Sequence, residues 1–309
     1  MRRFASIDLG TNTCNLLIAD YEGRSLKTVC VEKRAVMLLK NSGSSNTIQP
    51  DAITRCRTVV AEYKQLVSLY KADITIANAT SGIRSASNGN QILGMLHTHS
   101  GVEFGILSGD QEAALIHKGV ANALNGLPGK LLLLDIGGGS NEFVIFEGQK
   151  ILWKESFNLG ISRLLNKFQL RDPLCLNDMK PVYDYFDAEL TELYEQLKIH
   201  HVEALVGSSG TFETISNIIR CKTGGEISSE NSFPISAEDF HQVFQIMTTC
   251  NVNERLAIEG MEALRVELMP LASAFVNHLL NRTRITHIIH SRYSIKEGAI
   301  FNFIENHHI

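Results

Sequence analysis

The chain has 309 residues, with 29 Lys and Arg against 33 Asp and Glu, and 44% of its residues are apolar. That length sets an expectation of two domains, and the composition is that of an ordinary globular chain, which sets aside disordered and fibrous classes. A net charge of −4 gives no global field to attract a polyanion, no apolar run approaches the ~18 residues of a membrane span, and the six cysteines include no C-x-x-C pair, which argues against zinc and a disulfide framework. The start "MRRFASIDLG" has two arginines, but Asp8 interrupts it before an apolar signal-peptide core can form, so the expected location is the cytoplasm, away from any membrane.

Short apolar strands alternate with helical patterns along the chain, which predicts an α/β protein. "RFASIDL" and "CNLLIAD" read as strands flanking the turn "GTNT", and 40–50 reads as a polar loop. Ile53, Cys56, Val60, Tyr63, Val67 and Tyr70 recur every three or four residues and predict a helix with Pro50 near its start. "ADITIANA" and "VEFGIL" are the next strands, and a helix is expected over 111–124. "NGLPGK" (125–130) is the best candidate linker, so domains of 1–124 and 125–309 are expected. The second half predicts paired strands over 131–146, a strand near 151–158, a long helix at about 176–199, the strand "VEALVG", and a helix opened by Ser236 with Asp239 in a capping pattern.

One internal repeat stands out. "IDLGTNTCNLLI" (7–18) aligns with "LDIGGGSNEFVI" (134–145), setting Asp8 on Asp135, Gly10 on Gly137, Thr13 on Ser140 and Asn15 on Glu142. The separation is far longer than a solenoid period, so it predicts two related domains facing each other.

The second copy carries the chemistry. Gly137, Gly138 and Gly139 allow backbone N–H groups to converge on one anion. Glu142 stands where both strand faces are apolar, and an unpaired buried carboxylate there must protonate or find a partner. A divalent ion shared with Asp135 is one such partner, and Mg²⁺ suits few carboxylates, several waters and a substrate phosphate; a neighbouring Arg or Lys is the other. A third glycine–hydroxyl loop, "VGSSGTFETI" (206–215), places Gly207, Ser208, Gly210 and Thr211 between a strand and a helix N-terminus, where negative charge is favoured.

With these three loops in view, the sequence resembles the exopolyphosphatase / guanosine pentaphosphate phosphohydrolase family, part of the sugar kinase, actin and heat-shock ATPase superfamily. The stretches that carry the resemblance are "ASIDLGTNTCNLLIA", "ATSGIRSASNG", "GVEFGILSGDQEAALIHKGV", "LLDIGGGSNEF", "SFNLGISRL", "ALVGSSGT" and "SRYSIKEGAIF", which span nearly the whole chain. The resemblance implies two ribonuclease-H-like domains around a central cleft, and metal-dependent hydrolysis of a terminal phosphoanhydride in inorganic polyphosphate or guanosine pentaphosphate. It implies Glu112 as the catalytic glutamate that orients the attacking water, Arg84 as the cleft arginine, and Asp8, Asp135 and Glu142 as metal-associated acids holding Mg²⁺ or another divalent cation. It implies Gly10, Thr11 and Asn12 as the first phosphate loop, Gly137, Gly138, Gly139, Ser140 and Asn141 as the second, and Gly207, Ser208, Gly210 and Thr211 as the third. A homodimer is also implied. The chain departs from the family pattern at Gln111 in an acidic run, at Asn141 where Thr is usual, in "LRVELMPLAS", and at Lys296 of "KEG".

The bland readings of these residues are a helix-start acid for Glu112 and a surface ion pair for Arg84. A kinase would need an adenosine pocket beyond the third loop, where only Gly224-Gly225 is on offer. A binding regulator with a decayed site is opposed by the presence of Glu112, Asp135 and Glu142. Trp153 and the tyrosines show no stacking pattern with interleaved basic residues, so nucleic acid is not expected as a partner.

Overall fold

The apolar alternation of "RRFASIDL" forms β1 (Arg2–Leu9), which pairs antiparallel with β2 (Thr13–Glu22), itself antiparallel to β3 (Ser25–Ala35). A computed structural model describes residues 2–23, 25–40, 46–124, 126–224 and 231–308. Residues 41–45 of the expected loop, Asn125 of the expected linker and Gly225 of the glycine pair lie outside the described residues. Helix α1 (Pro50–Leu69) starts on its proline, whose missing N–H costs nothing at that position, and buries Ala52, Cys56, Val59, Val60, Tyr63 and Val67 on one face. The buried Tyr63 hydroxyl donates to Cys14 O at 2.8 Å, satisfying a polar group inside the core. β4 (Ile74–Ala79) then joins β1 in parallel, followed by α2 (Ser81–Arg84), α3 (Gly89–Ser100), β5 (Gly105–Ile106) and α4 (Gly109–Leu124). The sheet order is β3-β2-β1-β4-β5.

The second sheet repeats this plan. β6 (Lys130–Ile136), β7 (Asn141–Glu147) and β8 (Lys150–Phe157) form an antiparallel meander. After α5 (Ile161–Phe168), α6 (Lys180–Glu189) and α7 (Thr191–His200), β9 (Ala204–Ser208) runs parallel to β6. Next come α8 (Ser209–Thr223), β10 (Ser232–Ile235), α9 (Ala237–Thr249), α10 (Val252–Leu256), α11 (Met269–Thr283) and β11 (Ile288–Ser291), giving the order β10-β11-β9-β6-β7-β8. Read from the meander inward, both sheets are ribonuclease-H-like, and the second carries β10 as an extra antiparallel edge. Each has its own apolar core, around Leu16, Val60 and Tyr63 in the first and around Phe143, Phe186 and Phe275 in the second.

The last helix, α12 (Ile295–Asn306), opens on a reciprocal cap between Ser294 and Glu297. It returns to the first sheet, with Phe303 edge-on to Phe4 at 6.1 Å. It also crosses α4 at glycines: a Cβ on Gly298 would lie 1.8 Å from Leu115 O, and one on Gly119 would lie 2.2 Å from Ser294 O. Residues up to Gly119, the turn Gly137–Gly139 and residues from Ser294 onward therefore form one compact unit. The second unit is Val120–Ile136 with Ser140–Tyr293. The expected division at 124/125 differs from this grouping chiefly in where it puts the C-terminal helix.

Two sequence expectations need adjustment. The helix expected over 176–199 divides into a 3-10 turn (Leu176–Met179), α6 and α7. Pro181 sits in the first turn of α6, and the chain breaks again at Leu190, where Thr191 Oγ1 donates back to Ala188 O. The strand expected from "VEFGIL" pairs only at Gly105 and Ile106. Ser236 does cap α9, accepting from Asp239 N at 3.0 Å, and the partner acid is bonded to the Ser236 hydroxyl. No helix among the described residues is long and apolar enough to cross a membrane.

Candidate active site

The repeat seen in the sequence is a repeat of register. Asp8 stands opposite Asn15 across the four-residue turn 10–13, and Asp135 stands opposite Glu142 across the turn 137–140. Extending each register sideways gives one polar row per sheet. In the first it runs Lys33–Asn15–Asp8–Asn78, and in the second Ser156–Glu142–Asp135–Ser208. Cross-strand partners share a face, so each row is a line of neighbouring side chains.

The two rows differ in charge. In the first, Asn15 Nδ2 donates to Asp8 Oδ2 at 3.0 Å, so an amide serves the acid. In the second, two buried carboxylates stand opposite each other with serines at both ends. Ser140 and Ser156 donate to Glu142 Oε1 at 2.6 and 2.7 Å, while Ser208 and Ser209 donate to Asp135 Oδ2 at 2.7 and 2.5 Å. Glu142 is 1% exposed and Asp135 is 6% exposed. Hydroxyl donors orient both carboxylates, but no residue of that row is cationic.

The first turn, Gly10-Thr11-Asn12-Thr13, is built by its own backbone. Gly10 N–H donates to Thr13 O at 3.0 Å, so this glycine shapes the turn with its donor already committed. Thr11 O accepts from Leu38 N, and Asn12 O from Val36 N and Met37 N, so the segment after β3 fixes the turn from one side. A Cβ on Gly138 would meet Asn12 Nδ2 at 2.6 Å, and one on Gly139 would meet Ser81 Oγ at 2.6 Å and Thr11 Oγ1 at 2.8 Å. The glycines at these positions thus allow a close approach to three polar side chains. Ser140 is bonded to Glu142 as above, while Asn141 is fully buried and its side-chain amide donates to Leu159 O at 2.9 Å.

The third loop joins β9 to α8. Ser209 adopts φ +62°, a strained conformation for a non-glycine residue, and its hydroxyl reaches Asp135. A Cβ on Gly207 would meet the Phe212 ring at 2.1 Å, and one on Gly210 would meet the Arg265 guanidinium at 1.9 Å. Thr211 is buried at the first turn of α8.

Glu112 lies buried in the first unit, on the opening turn of α4. Arg84, at the end of α2, donates from Nη1 to Glu112 Oε2 at 2.7 Å and to Leu107 O at 2.8 Å. Gln111, a departure from the family pattern, forms a reciprocal cap: Gln111 N donates to Ser108 Oγ at 3.2 Å and Ser108 N to Gln111 Oε1 at 2.8 Å. Within the first unit the structure brings together Thr11, Asn12, Gly138 and Gly139, and separately Arg84 with Glu112. Within the second it brings together Asp135, Ser208, Glu142 and Ser140. Sequence reasoning passed over Ser81 and Ser156, and placed Ser209 in the third loop without giving it a role. Ser81 lies in a Thr-Ser-Gly run like the hydroxyl–glycine runs of the other loops, whereas Ser156 is marked only by register.

A model of the Ppx/GppA phosphatase family matches residues 17–307. The chain belongs to the Ppx/GppA phosphatase family. It is 31% identical to an exopolyphosphatase from Cytophaga hutchinsonii ATCC 33406, with a TM-score of 0.95 over 99% of this chain and 98% of that one. A Ppx/GppA family member from Aquifex aeolicus is 23% identical, with a TM-score of 0.82 over 100% of this chain and 99% of that one. An exopolyphosphatase-like protein is 19% identical, with a TM-score of 0.87 over 100% and 99%. These last two bear on the fold alone.

For this Ppx/GppA chain, a divalent ion can be tested against the residues. Among the described residues no group of three or more His, Cys, Asp or Glu could hold a metal. Mg²⁺ does not need such a cage, because it keeps waters and takes one or two carboxylates with substrate phosphate. The facing pair Asp135 and Glu142 could supply such donors, since like charges opposite each other in a sheet repel and an intervening cation would relieve this. The residues fit the ion.

At the base of the Ppx/GppA third loop, His290 pairs in register with Gly207 and is buried. Burial pushes its imidazole down to about 4; Glu213 opposes this shift, while Arg292 and Arg220 add to it. The unfolded chain therefore takes up a proton first on acidification. Stability from neutral His290 is complete above the ordinary histidine range and is lost as pH falls toward 4. The expected loss across that window is roughly 3 kcal/mol. Urea unfolding at stepped pH checks it: the slope between pH ~6.5 and ~4 should flatten in His290→Gln, and an unchanged slope would refute the assignment.

Proposed function

We propose that the protein is an exopolyphosphatase that releases the terminal phosphate of inorganic polyphosphate. The observation that carries this reading is the second sheet's row, in which facing carboxylates with no row cation are flanked by serines and lie beside a glycine turn. The similarity to the Cytophaga hutchinsonii exopolyphosphatase supports the choice of substrate.

Phosphoryl transfer asks for positioning and charge neutralisation more than for covalent help. Within each unit, the glycine–hydroxyl loops offer hydroxyl and backbone N–H groups to phosphate oxygens. Asp135 and Glu142 would hold Mg²⁺, which supplies neutralising charge for the phosphate when bound. Asp8, the third acid expected at the metal, accepts from Asn15 Nδ2 at 3.0 Å. Glu112 orients a water toward the terminal phosphorus and accepts its proton. The water oxygen joins that phosphorus, the anhydride P–O bond breaks, and the shortened chain departs with the bridging oxygen.

The test is phosphate release, with Mg²⁺, from long-chain polyphosphate and from guanosine pentaphosphate side by side. Wild type should release phosphate from polyphosphate, and Glu112→Ala should lose about 10²-fold in rate. Faster release from guanosine pentaphosphate would name that nucleotide as the substrate instead. Binding of both without release would turn the reading to a regulator.

A further inference from the structure

We infer that Arg84 is a positioning residue for Glu112, acting on the reaction through that carboxylate and not as a separate phosphate ligand. The inference rests on the hydrolase reading above. It starts from how one guanidinium nitrogen is used. Arg84 Nη1 donates both to Leu107 O at 2.8 Å and to Glu112 Oε2 at 2.7 Å. The carbonyl of Leu107 belongs to the connection between β5 and α4, two residues before the helix begins, and Glu112 sits on the opening turn of that helix. Leu107 N in turn donates to Ala79 O, at the end of β4, and α2 begins two residues after Ala79. The guanidinium thus spans the entry to α4 and fixes the carboxylate relative to backbone.

Burial makes this pair more than a surface contact. The side chains of Arg84 and Glu112 are 25% and 10% exposed. Exposed ion pairs hold long side chains loosely and contribute little, whereas a charge-assisted bond to a mostly buried carboxylate, anchored by a second bond to backbone, has one geometry. α2 is a single turn that ends on Arg84, and its backbone is closed by Ile83 N and Arg84 N donating to Thr80 O. The arginine is therefore presented by a short rigid turn. Water orientation demands accuracy of a fraction of an ångström in the accepting oxygen, so losing the guanidinium lets Glu112 rotate and lowers turnover without removing a substrate contact.

A double-mutant cycle separates the two roles. Arg84→Ala should reduce kcat about 10- to 10²-fold with KM within about threefold, and in the Glu112→Gln background the same change should cost less than about threefold more. Added guanidinium ion should restore part of the kcat of Arg84→Ala. Multiplying losses in the double mutant, of about threefold or more beyond Glu112→Gln, would overturn the inference, as would a rise in KM with kcat retained. Binding decides the matter where residual turnover is too slow to read. The affinity of Glu112→Gln for inorganic tripolyphosphate, measured by calorimetry, should change less than about threefold when Arg84→Ala is added, and a larger weakening assigns Arg84 to the phosphate. A wild type that binds tripolyphosphate without releasing phosphate would remove the hydrolase reading, and the calorimetric comparison would still decide what Arg84 touches.

Discussion

Glu142→Gln is expected to lower phosphate release by about 10³-fold while leaving the protein as stable as wild type, or slightly more so. The two halves of that expectation have one cause. Glu142 is buried opposite Asp135, and Ser140 and Ser156 give it hydroxyl donors but no positive charge. The amide has nearly the carboxylate's shape and can still accept from Ser140 or Ser156, so packing is kept. It removes one of two like charges that face each other across a strand pair, which relieves repulsion. It also removes half of the donor set that would hold Mg²⁺, so the Mg²⁺ concentration needed for half-maximal rate should rise about tenfold or more. Rate and urea midpoint measured on the same preparation give the answer. Release within threefold of wild type would show that the acid pair is not part of the chemistry, and a large fall in stability would make Glu142 a structural residue.

Gly298→Ala should destabilise the first unit by about 3 kcal/mol or more, in spite of alanine's better helix propensity. The new methyl carbon would lie 1.8 Å from Leu115 O and 3.0 Å from Gly119 N, backbone atoms of α4 that cannot swing away as a side chain would. The helices must separate, and the ion pair of Lys118 with Glu305 shifts with them. Gly94→Ala is the matched control. It is also in a helix, α3, but its added carbon meets nothing within 4 Å, so it should gain about 0.5–1 kcal/mol. Opposite shifts in urea midpoint are the expected result; equal shifts would mean that the α4–α12 crossing is looser than described.

Much of the site could be read in the sequence because its residues come in local runs. The acid, glycine and hydroxyl of each hairpin lie within eight positions, and the residues that the 7–18 and 134–145 alignment matches, Asp8 with Asp135 and Asn15 with Glu142, stand at corresponding cross-strand positions of the two hairpins. Residues that act across strands or helices left no such trace. Ser156 reaches Glu142 only through the β7–β8 register, and Arg84 reaches Glu112 only because β4 and β5 are neighbours. β3 is hard to see because, as an edge strand, it carries Lys27, Glu32, Lys33 and Arg34 among its apolar residues, the charges that blunt an exposed edge. "SIKEG", read as part of the family pattern, has a local structural account: Ser294 and Glu297 close the helix start, and Gly298 permits the crossing.

The return of α12 to the first sheet sets the order in which the chain can finish folding. Synthesis delivers β1 to β5 first, but Phe4 and the Leu115–Gly119 face of α4 receive their partners only when residues 295–306 emerge. The second unit, whose residues end at Tyr293, therefore has its full set of residues synthesised before the first unit does, although it is begun later. Until then the earlier half waits with apolar surface uncovered, so a nascent chain arrested just short of α12 is the species that should call most on chaperones.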